Sequence, residues 1–266
     1  MNEYEVHVVD AHIHIDGYKQ AELAELEASL NHPYLDYVIA VSMNLASCYH
    51  TEQWANRYPG KVLPAYGFHP EQALPSADEQ EGLLAWLELH KESMIAIGEV
   101  GLPYYMREES QKRGDSFDRL PYIELLELFV ERAAAWDLPI VLHAVYDDAP
   151  IVVDLLERYS VRRAHFHWFK GDGKTISRMA DNGYFISFTP DIHYEDEIRA
   201  LARQYPVEQV MTETDGPWPF EGLYTGRHTM PMMARDVAIE WAALQGMDIL
   251  EASKLLRANA RRCYGV

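Results

Sequence analysis

Cysteine is scarce in this chain: Cys48 and Cys263 are the only two in 266 residues. Two are too few for a disulfide framework, which excludes a small stapled secreted scaffold and makes a reducing cytoplasm the expected home. Long apolar runs are missing as well. None approaches the roughly 20 residues that span a bilayer, so no membrane partner is expected. The opening residues, MNEYEVHVVDAH, lack the basic and apolar segments of an export signal. No glycine-rich turn follows Val9, which speaks against a doubly wound nucleotide-binding sheet. Positive charge is short too: 23 Lys and Arg face 42 Asp and Glu, a formal net charge of −19. Such a chain repels polyanions at long range, so stable binding of duplex nucleic acid is not expected. Divalent cations can still reverse the sign inside one pocket.

What is present is ordinary globular composition, 48% hydrophobic and 24% charged, which excludes disorder and fibrous repeats. Short β-branched or aromatic runs predict strands at Val6–Ala11, Tyr37–Met43, Leu63–Phe68, Ile95–Val100, Pro139–His143, Ala164–His167, Tyr184–Phe188 and Glu208–Thr212. Amphipathic stretches between them predict eight helices, and a ninth at Ile249–Ala258 reads as a C-terminal cap. Eight alternations in one chain read as an α/β fold of the (β/α)8 TIM-barrel type, a single domain over residues 1–266. Arg107–Arg119 is the most polar stretch and follows the fourth strand, so it is read as a top-face loop, either a lid or a solvated connection.

Barrel enzymes keep their reactive groups at the C-terminal ends of the strands. Metal-ligand residue types stand at those positions: His12 and His14 with the first strand, Glu99 with the fourth, His143 with the fifth, His167 with the sixth and Asp215 with the eighth. Residues two apart on a strand share a face, so His12 and His14 can approach one ion together. Four imidazoles and two carboxylates make a donor set suited to zinc, manganese or related divalent ions. A lone H-x-H motif says little. Placed at the end of a first strand, with ligand types ending four others, it says much more.

The segments VVDAHIHI, GFHP, IGEVGLPYY, LPIVLHA, HWFKG, TETDGPWP and NARRCYG occur in order from Val8 to Gly265. With these segments the chain resembles the TatD family of metal-dependent hydrolases, within the amidohydrolase superfamily. The resemblance implies a barrel with two divalent metal ions (Zn, Mn, Mg or similar). It implies His12, His14 and Asp215 on one ion, His143 and His167 on the other, and Glu99 bridging both. Related superfamily members bridge with a carbamylated lysine, but the fourth strand here offers Glu99 and no lysine. Asp215 and Glu99 are then the catalytic residues, with Asp215 placed as general base toward a metal-activated water.

Other residues are candidates for lesser roles. His69 resembles the family's substrate-side histidine. Lys170 and Arg227, in predicted top-face loops, can contact an anionic group. Glu213 and Asp10, each two residues before a ligand, are candidates to orient ligand histidines. His165 shares a face with His167 one layer deeper and is read as a core histidine. His193 and His228 are placed at the pocket rim, and Trp218, Tyr104 and Tyr105 as rings that can stack a base. Three positions depart from the family pattern: Val145 stands for an arginine, Pro103 for an aspartate, and His228 follows Arg227 where Arg-Asn is usual. The expected function is phosphodiester hydrolysis in single-stranded or short nucleic acid. The alternatives are a small-molecule ester, lactone or amide hydrolase and a non-catalytic metal-binding scaffold.

Overall fold

Each of the eight apolar runs becomes a parallel strand in the computed structural model, which describes residues 5–266. The strands are β1 (Val8–Ile13), β2 (Leu35–Ala40), β3 (Val62–Tyr66), β4 (Ala96–Gly101), β5 (Ile140–His143), β6 (Ala164–Phe166), β7 (Phe185–Phe188) and β8 (Val210–Thr212). They pair in sequence order, β1 through β8. The helices are α1 (Leu23–Leu30), α2 (Leu45–Arg57), α3 (Ala77–His90), α4 (Tyr104–Lys112), α5 (Leu120–Trp136), α6 (Ala149–Arg158), α7 (Gly173–Asp181), α8 (Asp196–Gln204), α9 (Ala234–Gln245) and α10 (Ile249–Tyr264). This is the (β/α)8 barrel that the alternation predicts. Among the described residues, no helix is long and apolar enough to cross a membrane.

Two apolar layers follow from side-chain alternation. Val9, Ala11, Ile39, Ala65, Val141 and Met211 form an inner cluster that α10 closes with Ala260, Cys263 and Tyr264. Val8, Ile13, Ile97, Val100, Leu142, Phe166 and Ile186 pack outward against helix residues such as Leu26, Leu83, Leu126 and Val152. Above the inner cluster His165 hydrogen-bonds Tyr264 Oη at 2.6 Å and Ser187 Oγ at 2.5 Å. It is the core histidine the sequence suggests, satisfied on both nitrogens.

The first and last strands are joined chiefly by the residues of the site. Asp215 donates its N–H to His12 O at 3.0 Å, His14 donates to Gly216 O at 2.8 Å, and Thr212 Oγ1 donates to Val9 O at 2.8 Å. Asp10, fully buried, accepts from the N–H of Thr214 at 2.9 Å, from Thr214 Oγ1 at 2.5 Å and from the N–H of His12 at 3.3 Å. Asp10→Ala would leave those donors buried without partners, at about 1–3 kcal/mol each. The expected result is a loss of about 3 kcal/mol in urea unfolding of metal-stripped protein. A midpoint unchanged from wild type would contradict this account of the seam.

One expectation fails. Arg107–Arg119 is not a loop throughout: α4 takes its first half, and only residues 113–119 lack helix. Polarity hid the helix, because the residues it buries, Arg107 and Ser110, are polar and no apolar stripe marks it. Arg107 pairs with Asp147 and Asp148, and Arg119 holds the same two carboxylates at 3.1 and 2.9 Å. Strand β1 also runs two residues further than its apolar run, so His12 lies inside it rather than after it.

Candidate metal centre

Alternation alone would turn His12 and Glu99 out of the barrel. Ala11 faces inward, so an unbroken strand would send His12 outward, and Ile97 faces outward, so Glu99 would follow it. Both strands carry a register irregularity at that point, β1 between Asp10 and Ile13 and β4 between Ile97 and Val100. The extra residue shifts parity, which is how bulges re-aim side chains near functional sites. Gly101 belongs to the same arrangement: a Cβ there would lie 1.9 Å from His143 O, so only glycine lets β4 approach β5 so closely. Regular alternation suffices for His143 and His167, because Val141 and His143, like His165 and His167, share one face.

Six donor residues converge at the top of the barrel. His12 Nε2, His14 Nε2, Glu99 Oε2 and Asp215 Oδ1 lie 3.1–3.4 Å apart in the five pairs that involve an imidazole. Donors held about 2.0–2.1 Å from a tetrahedral ion would lie about 3.3–3.4 Å from one another. The other oxygen of the same carboxylate, Glu99 Oε1, faces His143 Nδ1 at 3.0 Å and His167 Nε2 at 2.7 Å, and those nitrogens are 3.3 Å apart. The His12 and His167 rings stack at 3.8 Å between centroids. Glu99 Oε2 and Asp215 Oδ1 are buried without a hydrogen-bond partner. An orphaned buried carboxylate oxygen is costly, and a divalent ion is the partner this donor set fits.

Charge is arranged to match. Burial pushes both carboxylates upward, but the imidazoles packed on them, His167 foremost on Glu99 and His14 on Asp215, hold them below the ordinary range. Both therefore stay anionic. Burial opposes charge on His14 too, yet Asp215 and Glu99 raise it to about 10. His143 and His167 are likewise raised, against burial, by Glu71 and Glu99 and by Glu99 and Glu213. Metal-free protein near pH 7 therefore holds protons that an ion must displace, so apparent affinity rises with pH, about tenfold per unit for each proton released. Titration calorimetry of stripped protein in buffers of different ionisation heat should show proton release on zinc uptake. None released would contradict the assignment of these rings as donors.

Around the six lie the other predicted residues. His69 Nε2 is 3.5 Å from Glu99 Oε1, its ring 4.8 Å from that of His143, and burial pushes it down to about 3, so it is neutral. Glu213 accepts from the N–H of Trp168 at 2.8 Å and lies 3.7 Å from His167 Nδ1, beyond hydrogen-bond reach. It thus fixes the turn that carries His167. Asp10 touches the amide of His12 rather than the ring, so it orients main chain and not an imidazole. Lys170 lies over the Trp168 ring at 5.2 Å, and Arg227 is exposed over Tyr224 at 5.6 Å, both outside the donor cluster. His228 pairs with Glu25 at the surface, and His193 lies beside Glu240 and Tyr224. The rim places assigned to those two histidines are not supported by these contacts.

Sequence reasoning missed three residues. Trp168, next to His167, is pinned by its indole N–H on Asp191 and meets Trp218 at 5.9 Å. Asp191 itself is buried, which pushes its carboxyl up to about 6. Glu71, two residues past His69, faces His143 Nε2 at 3.2 Å. Glu71 directly follows GFHP and Trp168 lies within HWFKG, which were the available signals for these two. Trp168 and Asp215 also adopt positive φ, +39° and +50°, rarely paid outside sites where the surroundings require it.

The family model described as TatD related DNase matches residues 9–265. The chain belongs to the TatD family. It is 38% identical over 255 residues to a protein of Haemophilus influenzae described as an uncharacterized metal-dependent hydrolase, covering 96% of this chain and 98% of that one. It is 27% identical over 220 residues to human deoxyribonuclease TATDN3, covering 80% and 78% of the two. The crystal structure of the TatD homologue YjjV of Escherichia coli matches the fold with a TM-score of 0.83 at 22% identity, over 97% of this chain and 98% of that one. Membership places the chain among metal-dependent hydrolases, in keeping with its donor set. At the positions that depart from the TatD pattern, Val145 is buried and Pro103 stands at the N-terminus of α4.

Proposed function

We propose that this TatD protein hydrolyses phosphodiester bonds in single-stranded or short nucleic acid with two divalent cations of the zinc, manganese or magnesium class. The observation that carries the reading is the posture of Glu99. One of its oxygens faces His12 and His14 and the other faces His143 and His167, as a carboxylate shared by two ions would. His12, His14 and Asp215 would hold one ion, His143 and His167 the other. The nucleic-acid substrate is supported by the family description and by the human relative's name.

Bound ions of this kind acidify a water toward neutral pKa and neutralise charge on the scissile group. The chain's own residues do the rest. Asp215, anionic and 7% exposed, accepts the proton of the attacking water and returns it to the leaving oxygen. His69, neutral and at the edge of the cluster, hydrogen-bonds a substrate oxygen. Lys170 supplies positive charge to an anionic group, and Arg227 a second contact further out. Trp218, 55% exposed, offers its face to a base, with Tyr105 on the opposite side beside His143. A net charge of −19 disfavours extended duplexes, so short strands reaching one cationic pocket are the substrates.

A second reading has its own support. Arg107 and Arg119 are committed to Asp147 and Asp148, and Val145 stands where the family carries arginine. A mouth so short of cations suits an uncharged ester, lactone or amide. Metal-loaded protein should be assayed on 3′-labelled single strands, on duplexes and on a panel of such small molecules. Shortened single strands are the expected products. Turnover of the panel alone would overturn the nuclease reading and leave the small-molecule one.

A further inference from the structure

Glu71 lies in the segment after β3, outside the six donors, with its side chain 14% exposed. Its carboxylate has three partners. It accepts from the N–H of Tyr105 at 2.8 Å on Oε1 and from the N–H of Met106 at 2.7 Å on Oε2. Oε1 also meets His143 Nε2 at 3.2 Å.

The first two contacts answer a need of α4. The first N–H groups of any helix lack internal partners, and here the capping position is Pro103, whose side chain has no oxygen to offer. Glu71 supplies that oxygen from 34 and 35 residues away, and its charge suits the positive end of the helix. The third contact acts on the site. A carboxylate facing Nε2 keeps the proton on that nitrogen, so the proton that an ion displaces comes from Nδ1. Nδ1 is the nitrogen turned toward Glu99 Oε1 and His167 Nε2.

We propose that Glu71 is a positioning residue that ties the rim helix α4 to His143. One carboxylate anchors the start of α4 and sets the ring orientation and tautomer of the donor to the second ion. Alanine at this position removes both duties, and a cap restored from the helix itself separates them. Without the carboxylate at Nε2, Glu99 Oε1 alone faces the ring and draws the proton of the neutral imidazole to Nδ1. The metal part of the inference rests on the two-ion reading above. The tautomer and helix parts do not.

The test uses the full chain, stripped of metal and titrated with zinc against a chelating indicator, with deuterium uptake of α4 read in parallel. In Glu71→Ala the dissociation constant of one ion should rise about 10–100-fold, with the other nearly unchanged, and exchange at Tyr105 and Met106 should be faster. Adding Pro103→Ser, which restores a local cap, should slow α4 exchange without recovering the metal constant. Both constants unchanged in Glu71→Ala would overturn the proposal, as would recovery of metal affinity by Pro103→Ser. If Glu71→Ala fails to fold, the capped double variant with Pro103→Ser carries the test alone. Wild-type protein that takes up a single ion would overturn the two-ion reading instead. The ring resonances of 15N-labelled His143 in stripped protein then decide: a proton on Nε2 in wild type, lost in Glu71→Ala, supports the role, and a proton on Nδ1 alone in wild type refutes it.

Discussion

Asp215→Asn should lower kcat by about 10²–10⁴-fold, the span usual for a general base, and leave KM within a few-fold. The substitution is a clean one for physical reasons. Asp215 sits at φ +50°, a region that asparagine tolerates as well as aspartate does, so the turn need not move. Its N–H bond to His12 O involves main chain only and survives. Asparagine keeps an oxygen where Oδ1 approaches His12 and His14 but cannot hold a proton at neutral pH. The fold and at least one bound ion should therefore remain, seen in an unchanged circular dichroism spectrum and in elemental analysis. Near-wild-type turnover would remove Asp215 from the role of base.

Glu99→Gln should act on metal content before chemistry. Glu99 is fully buried, and each of its oxygens serves a different group of imidazoles. Glutamine replaces one oxygen by an amide that cannot ligate and removes the negative charge central to four raised or lowered imidazoles. The expected result is a drop from two ions per chain to one or fewer, with activity falling in step. Elemental analysis after dialysis measures it. Two ions retained per chain would contradict the bridging role and return the site to two independent groups. The two variants are informative together: loss of metal in Glu99→Gln and loss of rate in Asp215→Asn separate holding from proton transfer.

Much of this protein is readable along the chain. Strand and helix alternation predicts the barrel because each element must bury one apolar face, and that periodicity is local. His143 and His167 are legible for the same reason, sharing a face with Val141 and His165 in regular strands. Helix α4 was not, since the side chains it buries, Arg107 and Ser110, are polar and leave no apolar stripe, and its cap comes from Glu71, more than thirty residues away.

The order of strands, the residue types able to bind a divalent ion and the strand ends that carry them were thus determined by sequence alone, because they depend on local periodicity and side-chain chemistry. Only the tertiary structure decided which face His12 and Glu99 present, since a register irregularity in β1 and another in β4 reverse the parity that alternation would give. It alone placed both oxygens of Glu99 between two sets of imidazoles and brought Glu71 against His143. These depend on contacts of 2.7–3.2 Å between residues remote in the chain, which no spacing along a polypeptide encodes.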